Sequence, residues 1–125
     1  RNNTGLKLNF AINYGGQWDI VNAVNSMLDD IDFSSQSKKV SATDLEKYLS
    51  LQGNSPDLLI RTAGEQRLSN FMLWQHAYTE LYFTGCLWPD FNEKELDVAI
   101  EYYQKRTRKF GSLNSSNHII KNDAK

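Results

Sequence analysis

The segment PDLLIRTAGEQRLSNFMLWQHAYTELYF, residues 56–83, carries the pattern from which the fold is predicted. Its apolar run Leu58 to Ile60 is typical of a short buried strand, and a second β-prone run covers Leu81 to Thr84. Between these runs, Ser69 is placed to cap an amphipathic helix that continues to Tyr78. A strand, a helix and a strand in this order predict a parallel sheet.

The sequence before this segment extends the alternation of strand and helix. Residues 6–13, LKLNFAIN, alternate apolar and polar side chains, which predicts a strand with one buried face. Residues 18–31 have apolar side chains at helical spacing. Thr43 to Glu46 has the spacing of a capping box, which predicts a short helix through Leu51.

The sequence after the segment predicts one more helix. Asn92 together with Glu95 resembles an N-terminal cap, the apolar face continues to Phe110, and Gly111 stands where a helix C-cap belongs. Residues 112–125 are polar and are predicted to be a flexible tail. The expected fold class is α/β, with part of a mostly parallel sheet flanked by helices. Three strands make a thin sheet, which suggests that this sequence is a fragment.

Composition narrows the class of protein. The chain has 125 residues, a formal net charge of -1, 40% apolar residues and 23% charged residues, which is the balance of one globular domain. The near-neutral charge argues against nucleic acid as a partner. One cysteine, Cys86, excludes an internal disulfide and is typical of a reducing compartment, so a cytoplasmic location is expected.

The loop after the first strand of the segment has the residue types of an anion site. Ligands of open α/β sheets gather beyond the carboxyl ends of the strands, where Arg61 lies. Gly64 permits close approach to the backbone, while Arg61 and Arg67 carry forked, permanently charged donors suited to phosphate oxygens. Ser69 could contact the same anion or only cap a helix. The pattern predicts a phosphate or diphosphate site. The alternative is a set of surface ion pairs between these arginines and nearby carboxylates: Glu65, Asp57 or Glu80.

Glu80 is a candidate magnesium ligand, because a carboxylate near a diphosphate often holds this hard cation. The alternative is a solvated glutamate before a strand. The geometry raises a difficulty, since Glu80 precedes its strand whereas Arg61 follows its own, and such ends lie apart in a parallel sheet. Asn13 to Gly16, NYGG, follows the first predicted strand and could line the site or simply form a tight turn.

A dense set of apolar and aromatic side chains between residues 71 and 91 has three possible explanations. They could form core, a dimer surface or the wall of a hydrocarbon channel, and spacing does not separate these. The set comprises Phe71, Trp74, Tyr78, Leu81, Tyr82, Phe83, Trp88 and Phe91.

Three long motifs resemble the second half of cis-prenyltransferases. They are NTGLKLNFAINYGGQWDIVNAV, the segment of residues 56–83 quoted above, and LWPDFNEKEL. The resemblance implies that residues 1–111 are the C-terminal half of a single cis-prenyltransferase domain. It implies an enzyme that adds isopentenyl diphosphate units to farnesyl diphosphate with cis double bonds, giving undecaprenyl or a similar long-chain diphosphate. In bacteria such a product carries cell-wall sugars.

The resemblance also implies roles for individual residues. Arg61, Arg67 and Ser69 match the residues that bind the diphosphate of isopentenyl diphosphate, with Leu68 between them. Glu80 matches a ligand of Mg²⁺. The supporting positions are Asn13, Gly64 and Glu65. The family usually acts as a homodimer in the cytoplasm, or peripherally at the membrane through its lipid product.

The sequence departs from the family pattern at several places. Gln66 stands where the family often has histidine, and Lys109 stands where it often has arginine. The family's Asp-Gly-Asn-x-Arg loop, whose aspartate holds Mg²⁺ beside the allylic diphosphate, is absent from these 125 residues. We therefore expect the catalytic aspartate in a missing N-terminal half, and this chain alone to be inactive. The alternative is a non-catalytic accessory subunit of a prenyltransferase complex.

Overall fold

The computed structural model describes residues 4–35, 39–53 and 55–106. The chain divides into two compact units. The first unit contains Arg1–Asp57 and Gln66–Thr79, and the second contains Leu58–Glu65 and Glu80–Lys125. Among the described residues, no helix has both the length and the apolar character needed to cross a membrane.

The first unit is built on helix α1, Gly16–Asp29, which confirms the helix predicted from apolar spacing. The chain becomes extended at Asp30, whose carboxylate caps the short helix α2, Ile31–Ser34. Helix α3, Ala42–Glu46, also packs against α1. The core lies where these helices meet: Ala23, Leu45 and Leu49 are buried, with Ile20, Val24, Tyr48 and Trp74 packed around them.

The capping box of α3 is displaced by two residues from the predicted one. Ser41, not Thr43, is the N-cap: its hydroxyl accepts from the Asp44 amide, and the Asp44 carboxylate accepts from the Ser41 amide, both at 3.2 Å. Both registers place a hydroxyl three residues before an acid, so the spacing alone cannot distinguish them. The regular helix also ends at Glu46, short of the predicted Leu51.

The strand predicted over residues 6–13 is wrong for this structure, since these residues have no regular secondary structure. The four apolar side chains that should form a buried face are 66% to 91% exposed. A strand is stabilised only when its amides and carbonyls pair with a neighbour, and no described strand pairs with this segment. The four side chains are those of Leu6, Leu8, Phe10 and Ile12.

The second unit contains a parallel sheet of two strands. The parallel arrangement is as predicted, but the third predicted strand, over residues 6–13, does not join it. Strand β1 is Leu58–Arg61 and strand β2 is Glu80–Phe83. Leu58 pairs with Glu80, and Arg61 pairs with Phe83, so the carboxyl ends of both strands lie at one edge. Helix α4 packs against β2.

Helix α4, Glu93–Gln104, begins as predicted at the N-cap Asn92, whose side chain accepts from the amides of Lys94 and Glu95. A turn of 3-10 helix, Trp88–Asp90, precedes it. The regular helix ends at Gln104, with Lys105 as its C-cap, short of the predicted end. Phe110, the predicted C-cap Gly111 and the predicted tail 112–125 lie outside the described residues.

The helix predicted from Ser69 to Tyr78 is also wrong, because this segment forms successive turns. Ser69, Asn70 and Met72 have left-handed backbone angles, with φ of 46°, 65° and 45°. A right-handed helix cannot start through such residues, and a serine N-cap requires an extended backbone. Trp74 still packs against the core of the first unit, whereas Tyr78 is exposed.

Candidate functional site

Arg61 is the last residue of β1 and lies at the carboxyl end of the sheet, as predicted. Its carbonyl accepts from the Thr84 amide at 3.0 Å, which fixes the backbone from which its half-buried side chain projects. The guanidinium therefore starts from a rigid strand end and not from a loose loop. A fixed origin of this kind reduces the entropy lost when a charged donor binds an anion.

The loop after β1 is fastened to the chain that follows β2. The Ala63 amide donates to the Cys86 carbonyl and the Gly64 amide donates to the Thr84 carbonyl, both at 2.8 Å. Ala63 and Gly64 have φ of 66° and 72°. Gly64 adopts its left-handed backbone without the cost that a Cβ would add, and its amide already has a carbonyl partner. The methyl of Ala63 is held in a conformation that ordinarily costs about 1 kcal/mol.

Glu80 opens β2 and pairs in register with Leu58, at the opposite end of β1 from Arg61. Three residues of strand rise separate the two ends, which corresponds to roughly 10 Å. This confirms the predicted difficulty that the two side chains leave from different ends of the sheet. The Glu80 carboxylate accepts from Arg106 Nε at 2.8 Å, so it is neither a simple solvated glutamate nor bare.

Arg67, Leu68 and Ser69 belong to the first unit, where Arg67 and Ser69 are exposed and Leu68 is half-buried. The Leu68 carbonyl accepts from the Phe71 amide at 3.0 Å. This segment is a tight turn in which Ser69 is exposed. Glu65 ends the neighbouring stretch of the second unit and is half-buried.

Asn70 joins this turn to the NYGG loop and is a residue that sequence reasoning missed. Its carbonyl accepts from the Gly16 amide at 2.6 Å, and its side-chain Oδ1 accepts from the Gln17 amide at 2.9 Å. These are the first amides of α1, so Asn70 caps that helix from 53 residues away. Two amides of the helix terminus are therefore already paired with these acceptors. The exposed Asn13, with φ of 54°, lies on the stretch of chain that leads into this cap.

The two glycines of the NYGG loop are explained by this contact. A Cβ at Gly15 would lie 2.9 Å from Nδ2 of Asn70. A Cβ at Gly16 would lie 2.9 Å from the side chain of Leu73 and 3.1 Å from the Asn70 carbonyl. Both glycines therefore permit close packing against Asn70 and Leu73, which supports the predicted tight turn. A role of this loop in lining the site stays a prediction.

Asp19 is a second residue that sequence reasoning missed. It is 1% exposed and accepts three hydrogen bonds, from Tyr14 Oη at 2.8 Å, the Ser50 amide at 2.8 Å and Gln75 Nε2 at 3.3 Å. Burial by itself raises the pKa of Asp19, but these hydrogen bonds outweigh burial and hold the pKa below its ordinary value. The carboxylate is therefore ionised and stabilised by neutral donors, which is typical of a structural node.

The predicted site residues thus fall into two groups. Arg61, Gly64, Glu65 and Glu80 belong to the second unit, whereas Asn13 and residues 67–69 belong to the first. Within the first unit, Asn70 links the two segments that carry predicted site residues. No group of three or more His, Cys, Asp or Glu side chains that could hold a metal occurs among the described residues.

Comparison with known proteins places these residues in a family context. Residues 1–111 match the family model Prenyltransf, described as "Putative undecaprenyl diphosphate synthase". A (2E,6E)-farnesyl-diphosphate-specific ditrans,polycis-undecaprenyl-diphosphate synthase from Coxiella burnetii is 54% identical over 113 residues, which cover 89% of this chain and 48% of that protein. A relative with the same description from Francisella tularensis is 50% identical over 113 residues, covering 89% of this chain and 44% of the relative.

A solved structure gives the same result at the level of fold. The crystal structure of lavandulyl diphosphate synthase from Lavandula x intermedia, in complex with dimethylallyl diphosphate, matches with a TM-score of 0.72 and 44% identity. The match covers 79% of this chain and 44% of that structure. The predicted α/β fold class is confirmed. The chain spans about half the length of the curated relatives it matches.

Proposed function

This chain belongs to the family of cis-prenyltransferases described by the undecaprenyl diphosphate synthase model, and on that premise we propose that it provides the isopentenyl diphosphate site of such an enzyme. The reaction is the repeated cis-condensation of isopentenyl diphosphate onto farnesyl diphosphate. The farnesyl substrate follows the description of the Coxiella and Francisella relatives. The observation that carries the proposal is the position of Arg61, held at the carboxyl end of β1 in a motif that matches the family along residues 1–111.

In this proposal Arg61 and Arg67 donate to the diphosphate of isopentenyl diphosphate. A guanidinium presents a fork of N–H donors and keeps its charge at any physiological pH, so it matches phosphate oxygens in both geometry and charge. Ser69, an exposed residue of its turn, adds one hydroxyl donor, and Leu68 adds an apolar contact. Binding in a fixed place holds the double bond of the five-carbon unit toward the allylic carbon that it attacks.

The supporting residues act through the backbone. Gly64 supplies the left-handed turn that follows Arg61, and Glu65 closes that stretch with a half-buried side chain. Asn13 begins the NYGG loop, which leads into the α1 amides that Asn70 caps, so it shares a support with Ser69, the residue next to Asn70. These residues keep the donors in place and are not proposed to react.

Magnesium is the proposed cofactor, and the donor chemistry around Glu80 fits it in part. Mg²⁺ commonly binds through one or two carboxylates and completes its shell with water and substrate phosphates, so a lone glutamate is a sufficient protein ligand on this side. Glu80 would provide that oxygen after leaving Arg106. When bound, the ion would neutralise charge on the departing diphosphate. A homodimer, a cytoplasmic location and a role in cell-wall lipid supply remain predictions from the family resemblance.

The proposal is tested by isothermal titration of isopentenyl diphosphate into the natural full-length protein. Arg61→Ala and Arg67→Ala each remove charge-assisted hydrogen bonds, and each should weaken binding about 100-fold, which is about 3 kcal/mol. Arg61→Lys keeps the charge but loses the fork of N–H donors, so its affinity should lie between that of the wild type and that of Arg61→Ala. Lys47→Ala, which removes an exposed charge paired with Asp44, is the matched control and should bind as the wild type does. Unchanged binding by both arginine variants would contradict the assignment.

A further inference from the structure

In the described part of the chain, the Glu80 carboxylate accepts a hydrogen bond from Arg106, a residue that the family resemblance did not single out. Arg106 Nε donates to Glu80 Oε2 at 2.8 Å. The Glu80 side chain is 16% exposed, whereas the Arg106 side chain is 51% exposed. The carboxylate is therefore held in place by the sheet, and the guanidinium that neutralises it approaches from the solvent side.

The backbone and side chain of Arg106 are positioned by different contacts. The Arg106 amide donates to the Tyr103 carbonyl at 3.0 Å, which fixes the backbone just past the end of α4. The guanidinium lies 5.8 Å from the ring centroid of Tyr102, one helical turn earlier. The Tyr102 ring in turn packs against the Tyr82 ring, with 5.2 Å between the two ring centroids.

The strand places Glu80 on the same side as this aromatic contact. Residues two apart in a strand point to one face, so Glu80 and Tyr82 share a face of β2, and α4 packs against that strand. The Tyr82 and Tyr102 rings thus direct the Arg106 side chain toward the carboxylate. The pair is built by α4 and β2 together and is not a chance surface contact.

We propose that Arg106 is a competing cation at Glu80, which holds the carboxylate until a divalent metal ion displaces the guanidinium. This inference rests on the proposed function, in which Glu80 is a ligand of magnesium. Arg106 then sets how tightly Glu80 binds the metal. Arg106 is a positioning residue, because it contacts Glu80, the proposed metal ligand, and not the reacting atoms.

Three physical considerations favour displacement of the Arg106 guanidinium from Glu80 by a divalent metal ion. An ion pair with one partner half in solvent is weak, because water screens it and the long side chain loses entropy in it. A hard divalent ion gains more from a carboxylate oxygen than a guanidinium does. A guanidinium keeps its charge in proteins, so Arg106 can leave Glu80 only by swinging into solvent. Its exposed side chain and fixed backbone permit that movement.

The test titrates Mn²⁺ alone into the natural full-length protein and follows free metal by electron paramagnetic resonance. The part of the binding that is lost in Glu80→Gln defines the Glu80 site. At that site Arg106→Gln should bind Mn²⁺ about threefold to tenfold more tightly than the wild type, because the competitor has lost its charge. Arg106→Lys keeps a cation and should remain within about twofold of the wild type.

The matched control is Lys105→Gln, which removes the neighbouring charge, paired with Glu101 and not with Glu80. It should leave Mn²⁺ affinity unchanged, and the Mg²⁺ concentration that half-activates turnover should fall only in Arg106→Gln. Equal or weaker metal binding by Arg106→Gln, with loss of the site in Glu80→Gln, overturns the inference and leaves the proposed function standing. Unchanged binding in Glu80→Gln overturns the metal assignment itself and the inference with it. Circular dichroism confirms that each variant is folded.

Discussion

Two carboxylates of this chain, Asp19 in the first unit and Glu80 in the second, are stabilised in opposite ways. Asp19 is 1% exposed and receives three hydrogen bonds, from Tyr14, Ser50 and Gln75. Glu80 receives its hydrogen bond from a half-exposed cation, Arg106. Asp19 is satisfied by neutral donors, while Glu80 is satisfied by a charge on a long side chain.

The difference teaches which carboxylate can take part in binding. To release Asp19, the protein must leave buried donors without an acceptor, and each such donor costs about 1 to 3 kcal/mol. To release Glu80, only the half-exposed Arg106 side chain must move into water, which already screens the pair. Saturation by neutral donors therefore indicates structure, and pairing with an exposed cation permits exchange.

The largest expected effect follows from removing the interior carboxylate. Asp19→Ala should lower the free energy of unfolding by about 3 kcal/mol, because the partly buried hydroxyl of Tyr14 and the buried amide of Gln75 lose their acceptor. Asp29→Ala on the exposed side of the same helix is the control and should change stability by less than about 0.5 kcal/mol. Urea unfolding of both variants measures the difference. Equal small losses would mean that Asp19 is not the structural node described above.

The parts of the fold that were predictable depend on local sequence. Helix α1, the N-cap Asn92 and strands β1 and β2 follow from apolar spacing and capping residues within a few positions of each other. The two wrong elements depend on distant groups. Residues 6–13 have strand periodicity but no described strand beside them, and residues 69–78 have helical periodicity but a backbone bent to bring Asn70 onto α1.

The site divides in the same manner. The position of Arg61 at a strand end, and of Glu80 at the other end of the sheet, follows from element order alone. Asp19, Asn70 and Arg106 were not found, since their decisive contacts join residues 31, 53 and 26 positions apart. In the structure, three left-handed residues within four positions mark the bend that brings Asn70 onto α1. The sequence showed only an ordinary Ser-Asn pair at this place.

A smaller effect should follow from removing the Asn70 cap of α1. This change tests how much a neutral hydrogen bond contributes to the stability of the first unit. Asn70→Ala removes the acceptor for the Gln17 amide and places a methyl at φ of 65°, so it should cost about 2 kcal/mol in urea unfolding. Asn70→Gly removes the same acceptor but relieves the backbone, and should cost about 1 kcal/mol. If the two variants were equally stable, the left-handed conformation would carry no strain at this residue.

The smallest expected effect concerns one donor of the Asp19 node. Burial, and then the hydrogen bond to Asp19, raise the pKa of Tyr14 to about 12, so Tyr14 is a donor at neutral pH. Tyr14→Phe deletes this donor and should lower stability by about 1 kcal/mol at pH 7.

The pH dependence of this loss identifies its cause. The pKa of Asp19 is depressed in the folded state, so ionised Asp19 stabilises the protein above about pH 4, its unfolded value, and that stability is lost as pH falls through the folded pKa. Without the Tyr14 donor the folded pKa rises toward the unfolded one, and acid unfolding followed by circular dichroism should begin at higher pH. In an Asp19→Asn background Tyr14→Phe should leave the acid midpoint unchanged, because no carboxylate remains to titrate there. A shift of equal size in both backgrounds would place the effect outside the Asp19 node.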